Sequence, residues 1–223
     1  MARLFAVDSM AVLYRGYFAM IRTPLINSKG LNTSGIRTFI MQLIKIIEEE
    51  KPDYLAVVTD SSEPTFRHQK YPEYKATREK MPEDLVLQLP YLPKLVESLR
   101  LPYLKFPGFE ADDIVGTLMK RCHEKKIEGV IVSSDKDFMQ LITEKITMLN
   151  HRNEKIGIQG VLEKFGCAPE KVIEILGLMG DSSDNIPGVR GIGEKTATKL
   201  ISEHGCIESI YENIHKINGK SLK

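Results

Sequence analysis

The sequence predicts an α/β protein with a central, mostly parallel sheet flanked by helices and followed by a smaller helical subdomain. Short apolar runs rich in Val, Ile and Leu, without polar alternation, indicate strands that are buried on both faces. They cover residues 4–7, 54–58, 129–132 and 146–149, with a weaker run at 103–106. Helical patterns lie between them at 36–49, 85–99 and 112–125. Strands that alternate with helices favour a parallel sheet.

The division of the chain follows a change of pattern after residue 157. Residues 1–157 are predicted to form the α/β domain. Residues 158–223, which have short helical patterns, glycine turns and no convincing strand, are predicted to form the helical subdomain. Within the first domain, residues 61–82 show neither a strand nor a helix period, so we expect a long connection there.

Composition and charge exclude several classes of protein. The 223 residues carry 31 Lys and Arg against 30 Asp and Glu, so any affinity for nucleic acid must depend on where the charges lie. The 3 cysteines form no CxxC pair, which disfavours a disulfide scaffold and a zinc site. No apolar run is long enough to span a membrane, and the first residues lack the apolar core of a signal peptide. We therefore expect a cytoplasmic protein without a membrane partner.

Aspartates follow three of the predicted strands at the same end. The apolar runs "LFAVD", "LAVVTD" and "VIVSSD" end in Asp8, Asp60 and Asp135. The carboxyl ends of parallel strands form one edge of a sheet, where open α/β folds bind their ligands. We therefore expect these three acids to converge. Asp137 would point the same way as Asp135 if the strand continued.

The segment "EADD" adds further acids at the start of a predicted helix: Glu110, Asp112 and Asp113. Any one of these carboxylates alone would more often cap a helix or complement its dipole. Together they would repel one another unless some stayed protonated or a cation bound among them. Oxygen ligands without His or Cys suit Mg²⁺ or Mn²⁺. More acids than one ion can use indicate two ions, an arrangement that most often cleaves phosphate esters.

The stretch "MGDSSDNIPGVRGIGEKTATKL" combines acids with residues that favour phosphate. Asp181 and Asp184 would share a face and reach the same metals if this turn is helical, whereas a pair of Asx turns is the alternative. The residues that suit phosphate follow them: Gly188, Gly191, Gly193, Lys195 and Lys199. A helix, a glycine hairpin and a second helix would bind a nucleic-acid backbone without reading its sequence. A tight turn with solvated lysines is an equally consistent interpretation.

Residues 66–80, "FRHQKYPEYKATREK", form a second basic segment, with five positive and two negative side chains. Interleaved aromatic and basic residues suit single-stranded nucleic acid, and we expect Arg67, Lys70 and Tyr74 to contact it. A charged, solvated loop is the alternative. Arg15, soon after Asp8, could add a cation near the metals or lie on the surface.

The order and spacing of these segments resemble the 5′-nuclease domain of bacterial DNA polymerase I and its relatives, the phage and free-standing flap endonucleases. The matching segments run from residue 4 to about 213: "FAVD", "YR", "FRHQKYPEYKATR", "MPEDL", "EADD", "SSDKD", "GLMGDSSDNIPGV" and "GIGEKTA". The resemblance implies a PIN-like sheet and a helix-hairpin-helix-type (H3TH) motif. It also implies a two-metal 5′→3′ exonuclease and flap endonuclease that recognises DNA with a 5′ flap or a 5′ end at a duplex junction.

The resemblance implies roles for single residues as well. One metal group would be Asp8, Asp60, Glu110 and Asp112, and the second would be Asp113, Asp135, Asp137, Asp181 and Asp184. Lys75 and Arg78 would contact the scissile phosphate from an arch at about 61–82. Arg15 would lie near the metals, and Tyr74 would stack on DNA. The glycine hairpin would bind DNA and a K⁺ ion.

Two departures from the family pattern modify these expectations. Ser9 stands where the family usually has glycine, although Asp8 before it is in place. The family's domain usually continues with further helix beyond the sequence "INGKSLK", so we expect either a short free-standing form or part of a protein that includes a DNA polymerase. Two other functions stay open at this point: a PIN-type ribonuclease and a non-catalytic module that binds branched DNA.

Overall fold

A six-stranded sheet forms the centre of the protein in the computed structural model, which describes residues 1–217. In chain order its strands are β1 (Arg3–Asp8), β2 (Tyr54–Val58), β3 (Tyr103–Leu104), β4 (Glu128–Val132), β5 (Ile146–Leu149) and β6 (Lys155–Ile156). They lie side by side in the order β3-β2-β1-β4-β5-β6, and each neighbouring pair is parallel except β5 with β6. The predicted α/β fold with a mostly parallel sheet is confirmed.

The helices within residues 1–217 are α1 (Ser9–Ala19), α2 (Ser34–Lys45), α3 (Phe66–Lys70), α4 (Glu83–Val86), α5 (Tyr91–Ser98), α6 (Ala111–Glu124), α7 (Ile158–Phe165), α8 (Val172–Met179), α9 (Glu194–His204) and α10 (Ile207–Glu212). A π-helical turn, Ile46–Glu50, continues α2, and a 3₁₀ helix spans Lys136–Leu141. Between α8 and α9 lies a two-stranded ribbon, β7 (Gly180–Asp181) and β8 (Ile186–Pro187). None of these helices has the length and apolar character needed to cross a membrane.

Two helical predictions differ from the structure. The predicted helix at 85–99 is divided into α4 and α5, and Pro90, which has no amide hydrogen to continue a helix, stands between them. Helix α1 was not predicted; it begins directly after β1, and only Asp8 and Ser9 separate the apolar residues of the strand from those of the helix. Within the predicted connection at 61–82, the structure adds the short helix α3.

Two hydrophobic clusters cover the two faces of the sheet, and β1 divides its side chains between them. Phe5 and Val7 pack with α1, α2 and α5 on one face, whereas Ala6 packs on the other face with α6 and later helices. Because both faces are covered, an unbroken apolar run is what such a strand requires. The cluster on the α6 face also contains Phe165 and Ala197, so the helical subdomain shares a core with the sheet.

Helices α1 and α2 cross closely at Gly16. A β-carbon at this position would lie 2.3 Å from Thr38 Cβ, a distance that real side chains do not reach. In α6, by contrast, a β-carbon at Gly116 would have Leu141 Cδ1 as its nearest neighbour, at 4.0 Å. The close crossing holds α1 against the domain, and with it Asp8 at the start of α1.

We expect the two helical glycines to respond in opposite directions to alanine. Gly16→Ala should lower the free energy of unfolding by about 1–3 kcal/mol, because the added methyl overpacks the crossing. Gly116→Ala should raise it by about 0.5–1 kcal/mol, because open space receives the methyl and the unfolded chain loses freedom. Urea denaturation of the two variants measures both values. Equal destabilisation of both variants would contradict the crossing geometry.

Candidate active site

Asp8 and Asp60 mark the carboxyl edge of the two central strands. Asp8 ends β1, is 8% exposed, and caps α1 by accepting a hydrogen bond from the Ala11 amide (3.1 Å). Its second oxygen accepts from Ser133 Oγ at 3.0 Å. Ser9, directly after it, is fully buried, and its hydroxyl has no hydrogen-bond partner among residues 1–217. The departure from glycine therefore leaves the cap of α1 intact.

Helix α6 brings its acidic start to the same edge. Its first amide, on Ala111, donates to Asp60 Oδ1 at 2.8 Å, which ties the helix to the end of β2. Asp112 then faces a cavity of about 530 Å³. Four of the predicted acids and two of the predicted basic residues line this cavity together: Asp8, Asp60, Asp112, Asp135, Lys75 and Arg78. We call it the carboxylate cavity.

The acids of the carboxylate cavity raise one another's proton affinity. Burial raises the pKa of Asp112 to about 7, and the charges of Asp135, Asp8 and Asp60 add to this, whereas Lys75 opposes it. Burial also raises the pKa of Asp8 to about 6, although hydrogen bonds from Ala11 and Ser133 oppose the shift. Carboxylates shifted in this way carry a repulsion that a bound cation would remove.

Asp135 and Asp137 lie at the start of a 3₁₀ helix and do not continue a strand. Strand β4 ends at Val132, so the condition under which Asp137 would point the same way as Asp135, a strand that continues, is not met. Instead, the Asp137 amide donates to Asp135 Oδ1 at 2.9 Å. Burial raises the pKa of Asp137 to about 6, with further contributions from Asp135 and Asp181. Its Oδ1 atom is buried without a hydrogen-bond partner in the described part of the chain.

Asp181 and Asp184 lie in the ribbon and its turn, so the structure does not adopt the helical turn, which was one of the two interpretations left open. Asp181 Oδ1 accepts from the Ser183 amide at 2.8 Å, which is the Asx turn that the sequence allowed as the alternative. Lys136 Nζ lies 3.2 Å from Asp181 Oδ2. Burial raises the pKa of Asp181, but the hydrogen bonds from Ser183 and Lys136 outweigh it and leave the pKa below its usual value.

Two glycines allow the ribbon to form. At Gly180, with φ of 71°, a β-carbon would lie 2.2 Å from the Gly188 amide nitrogen. At Gly188 it would lie 2.2 Å from the Met179 carbonyl carbon. Close backbone packing therefore requires glycine at Gly188, a reason independent of the DNA contact that the sequence suggested. Gly191 (φ 83°) and Gly193 stand in open space ahead of α9, and Lys195 and Lys199 follow on that helix.

Residues 66–80 are the basic part of the predicted arch, and from here on we call this segment the arch. Tyr74 and Lys75 hold it to the acids through hydrogen bonds. The Tyr74 hydroxyl contacts Glu110 Oε2 at 3.0 Å and Asp184 Oδ2 at 2.8 Å. Lys75 Nζ donates to Glu110 Oε1 at 2.9 Å, and its amide donates to the Asp184 carbonyl at 2.9 Å. Arg78 donates to the Asp184 carboxylate and, through Nε, to the Ser183 carbonyl. The arch cations thus neutralise the acids beneath them.

Tyr74 is placed differently from the expectation. Its side chain is 5% exposed, so its ring offers no face for a base to stack on in this conformation. Burial and the hydrogen bond to Asp184 raise the pKa of Tyr74, so the hydroxyl stays protonated. The aromatic ring that lines the carboxylate cavity is Tyr14. The sequence could have pointed to Tyr14, because Tyr14 lies next to Arg15 in the "YR" pair that contributes to the family resemblance.

Arg15 and Asp113 are not among the residues that line the carboxylate cavity. Arg15 donates to the Gln42 side chain (3.1 Å) and to the His151 carbonyl (3.2 Å). Burial lowers its pKa. Arg15 thus lies outside the carboxylate cavity, and its expected role near the metals stays a prediction. The side chain leaves α1 toward α2, whereas Tyr14 takes the cavity side.

Asp113 is held by the arch and by its own helix. Two hydrogen bonds of 2.9 Å join it to the Arg67 guanidinium, and it accepts from the Glu110 amide at 3.0 Å as part of a capping box. Burial raises the pKa of Asp113, but these bonds outweigh it and the net shift is downward. Lys70, further along the arch, has its Nζ 5.8 Å from the centre of the Phe66 ring.

The acids are of the type that binds a divalent cation, but in this structure their side chains are not arranged around one. Within residues 1–217, no three Asp, Glu, His or Cys side chains converge on a single coordination point. Glu110 and Asp184, which would help to complete such a group, are engaged by Tyr74, Lys75 and Arg78. The donors at this edge are carboxylate oxygens, which Mg²⁺ and Mn²⁺ prefer. The raised pKa values of Asp8, Asp112 and Asp137 add the charge argument for a cation.

Two family models together cover nearly the whole chain. Residues 3–166 match the 5′-3′ exonuclease N-terminal resolvase-like domain, and residues 167–223 match the 5′-3′ exonuclease C-terminal SAM fold. The chain belongs to the 5′-3′ exonuclease family. The resemblance inferred from the motifs is thereby confirmed.

Individual relatives agree with this assignment. The chain is 36% identical to a 5′-3′ exonuclease from Aquifex aeolicus, over 97% of this chain and 74% of the relative. It is 40% identical to DNA polymerase I from Bacillus subtilis over 99% of this chain, and it spans only 26% of that protein's length. The fold matches a phage T5 D15 flap endonuclease solved with DNA and metal ions, with a TM-score of 0.80, 24% identity, and coverage of 99% and 82% of the two chains.

The raised pKa values predict how the stability of the metal-free protein depends on pH. The folded protein binds protons at Asp8, Asp112 and Asp137 with pKa values of about 6 to 7, well above the unfolded value. The free energy of unfolding should therefore fall as pH rises from 5 through these values. We expect a lower melting temperature at pH 8 than at pH 5.5. Each kcal/mol lost from the free energy of unfolding should lower the melting temperature by about 2–4 °C.

The variant Asp112→Asn isolates the contribution of one group. It should reduce the difference in melting temperature between the two pH values, because asparagine does not titrate. Asp113→Asn is the matched control: the pKa of Asp113 is lowered, so both melting temperatures should shift by the same amount. Thermal unfolding followed by circular dichroism in EDTA measures all three proteins. An unchanged pH difference in Asp112→Asn would show that this carboxyl has an ordinary pKa.

Proposed function

We propose that the protein is a structure-specific 5′-nuclease that hydrolyses DNA phosphodiesters at a 5′ flap or at a 5′ end beside a duplex junction. The observation that carries this function is the carboxylate cavity, in which Asp8, Asp60, Asp112 and Asp135 meet Lys75 and Arg78. A cavity lined by both acidic and basic side chains suits a reaction on a phosphate. The acids can hold metal cations that act on the phosphate, and the basic side chains can bind the phosphate itself. Membership of the 5′-3′ exonuclease family supports the same reaction.

The acids would hold two divalent cations, Mg²⁺ or Mn²⁺, in two groups. The first group would be Asp8, Asp60, Glu110 and Asp112, and the second would be Asp135, Asp137, Asp181 and Asp184. When bound, such ions supply an activated water and stabilise charge on the leaving 3′-oxygen. Asp113 stays outside this proposal, because it caps its own helix through the Glu110 amide, pairs with Arg67, and does not line the carboxylate cavity. A K⁺ ion in the glycine hairpin remains a prediction.

The chain's own residues would bind and orient the phosphate. Lys75 and Arg78 are the basic side chains of the cavity, and both now contact acids that the metal groups need. Transfer of these two cations from Glu110 and Asp184 to the scissile phosphate would free the carboxylates and hold the substrate in one rearrangement. Tyr74, bonded to the same two acids, would keep the arch in register with them.

The hairpin ahead of α9 would hold the duplex at a distance from the cut. Gly191 and Gly193 leave open space for a backbone, and the first turn of α9 offers unpaired amides to a phosphate. Lys195 would add charge, while Lys199 pairs weakly with Glu203 at 3.8 Å. Relatives named DNA polymerase I support a fused or separate polymerase as partner. Work on chromosomal DNA would place the protein in the cytoplasm.

Cleavage of a 5′-labelled flap duplex in Mg²⁺ tests the nuclease function. We expect incision near the branch point by the wild type, loss in EDTA, and at least a hundredfold slower cleavage by Asp112→Asn, on the order of the loss of one strong charge interaction in an active site. Glu163→Gln, an exposed acid on α7, is the matched control and should cut normally. Tight binding without cleavage would favour the binding-module alternative, and preference for single-stranded RNA would favour the ribonuclease.

The hairpin makes a separate prediction about binding. Lys195→Ala should weaken affinity for duplex DNA at every sequence and reduce the slope of log K against log salt by about 1. Lys94→Ala, on α5 and away from the hairpin, is the control and should keep the wild-type slope. Fluorescence anisotropy at several salt concentrations in Ca²⁺ gives both slopes. Equal slopes for wild type and Lys195→Ala would remove this lysine from the DNA contact.

A further inference from the structure

An apolar groove lies beside the arch and is separate from the carboxylate cavity. Its volume is about 410 Å³, and its lining residues are Phe106, Phe109, Asp113, Ile114 and Thr117. Phe106 and Phe109 are 52% and 49% exposed. Large exposed aromatic side chains that share a concave surface mark a binding site more often than isolated apolar residues do. The proposed nuclease reaction uses neither of these two rings, so it does not account for their exposure.

A tight turn presents the two rings together. The Phe109 amide donates to the Phe106 carbonyl at 3.2 Å, and Pro107 and Gly108 stand between them. Gly108 has φ of 77°, as the third residue of a type II turn requires, and proline is preferred just before it. The rings therefore leave the two ends of one rigid turn, so little conformational freedom would be lost when a ligand binds them.

The surroundings of the groove are basic. Its lining carboxylate, Asp113, is neutralised by the two hydrogen bonds from Arg67. The Arg67 guanidinium lies 4.6 Å from the centre of the Phe66 ring, which is itself 40% exposed. Exposed cations flank the lining residues along the chain: Lys105 precedes Phe106, while Lys120 and Arg121 follow Thr117 by three and four positions on α6. Aromatic faces with cations around them complement an anionic, unpaired strand.

We infer that this groove binds unpaired bases of the 5′ single strand next to the site of cleavage. Base stacking on aromatic rings together with basic side chains is how proteins hold single strands without reading sequence. The lining offers few polar groups that could distinguish bases, so sequence-tolerant binding is expected. The volume lies within the roughly 300–1,000 Å³ of small-ligand sites and suits one or two bases.

The groove is continuous with the proposed reaction site through the start of α6. Asp112 lines the carboxylate cavity and Asp113, the next residue, lines the groove. Arg67 contacts both Asp113 and Glu110, the latter at 3.5 Å, so the arch borders both spaces. A strand with one phosphate in the cavity would need to pass only the first turn of this helix to reach Phe109. Because its ligand is a flap, the role of the groove rests on the nuclease function proposed above.

The test compares substrates that differ only in the single strand. Two junctions share one duplex: one carries a long 5′ flap with 2-aminopurine near the branch, and the other ends without a flap. Binding is measured by anisotropy in Ca²⁺ with wild type, with the double variant Phe106→Ala, Phe109→Ala, and with a matched control. The control is Ile47→Ala, Tyr54→Ala, whose side chains are also exposed but lie at the opposite, amino-terminal edge of the sheet.

We expect the groove variant to bind the flapped junction about tenfold more weakly, as loss of one or two stacking contacts implies, with no change on the flapless junction. The wild type should change 2-aminopurine fluorescence on binding, and the groove variant should not. The control should resemble wild type in both measurements. Urea denaturation of each variant confirms that it is folded.

Several results would overturn the inference. An equal loss of affinity for both junctions would show that the rings contact duplex DNA or stabilise the fold. An unchanged affinity for the flapped junction would show that the single strand binds elsewhere. A concentration-dependent wild-type dimer that Phe106→Ala, Phe109→Ala abolishes would assign the groove to a second copy of the chain. Failure of the nuclease function is seen separately, because the wild type would then cut neither junction in Mg²⁺, whatever its affinity for the flap in Ca²⁺.

Discussion

Repulsion among carboxylates at the carboxyl edge of the sheet is the constraint on which the site depends. Three of these acids, Asp8, Asp112 and Asp137, have raised pKa values, with burial as the largest cause and neighbouring charges adding to it. The fold places Asp8 at the end of a strand and Asp112 and Asp137 in the first turns of helices. Such an arrangement needs either protonation of some of the acids or compensating positive charge. In this structure, Lys75 and Arg78 of the arch supply part of that charge.

This compensation links binding of metal, substrate and arch. Both oxygens of Glu110 and of Asp184 already accept from Tyr74 and the arch cations, so an ion that used these acids would have to share or displace those contacts. A divalent cation that used these acids would therefore compete with the arch for them. A phosphate reverses the competition, since it gives Lys75 and Arg78 an alternative anionic partner. Substrate and metal would then favour each other's binding, as the linkage between ligands requires.

The sequence predicted the parts of the site that depend on strand ends. Asp8 and Asp60 follow buried apolar runs, and strand direction alone brings them to one edge. It was less informative where a side chain's direction depends on a local turn. For Asp181 and Asp184 the sequence left a helical turn and Asx turns open, and Gly180 and Gly188 pack so closely that a ribbon forms. Spacing in sequence cannot distinguish a helical turn from an Asx turn in a stretch of Asp, Ser and Asn.

The start of α6 shows why the remaining roles were not readable from the sequence. Asp112 and Asp113 are identical residue types in adjacent positions, and about 100° of helix rotation separates their directions. The capping box turns Asp113 back to the Glu110 amide and toward Arg67, which leaves Asp112 to face the acids of β1 and β2. Arg67 comes from the arch, 46 residues earlier in the chain, so no local pattern reports the pairing. One cap and one long-range ion pair thus divide two equivalent acids between the carboxylate cavity and the neighbouring aromatic groove.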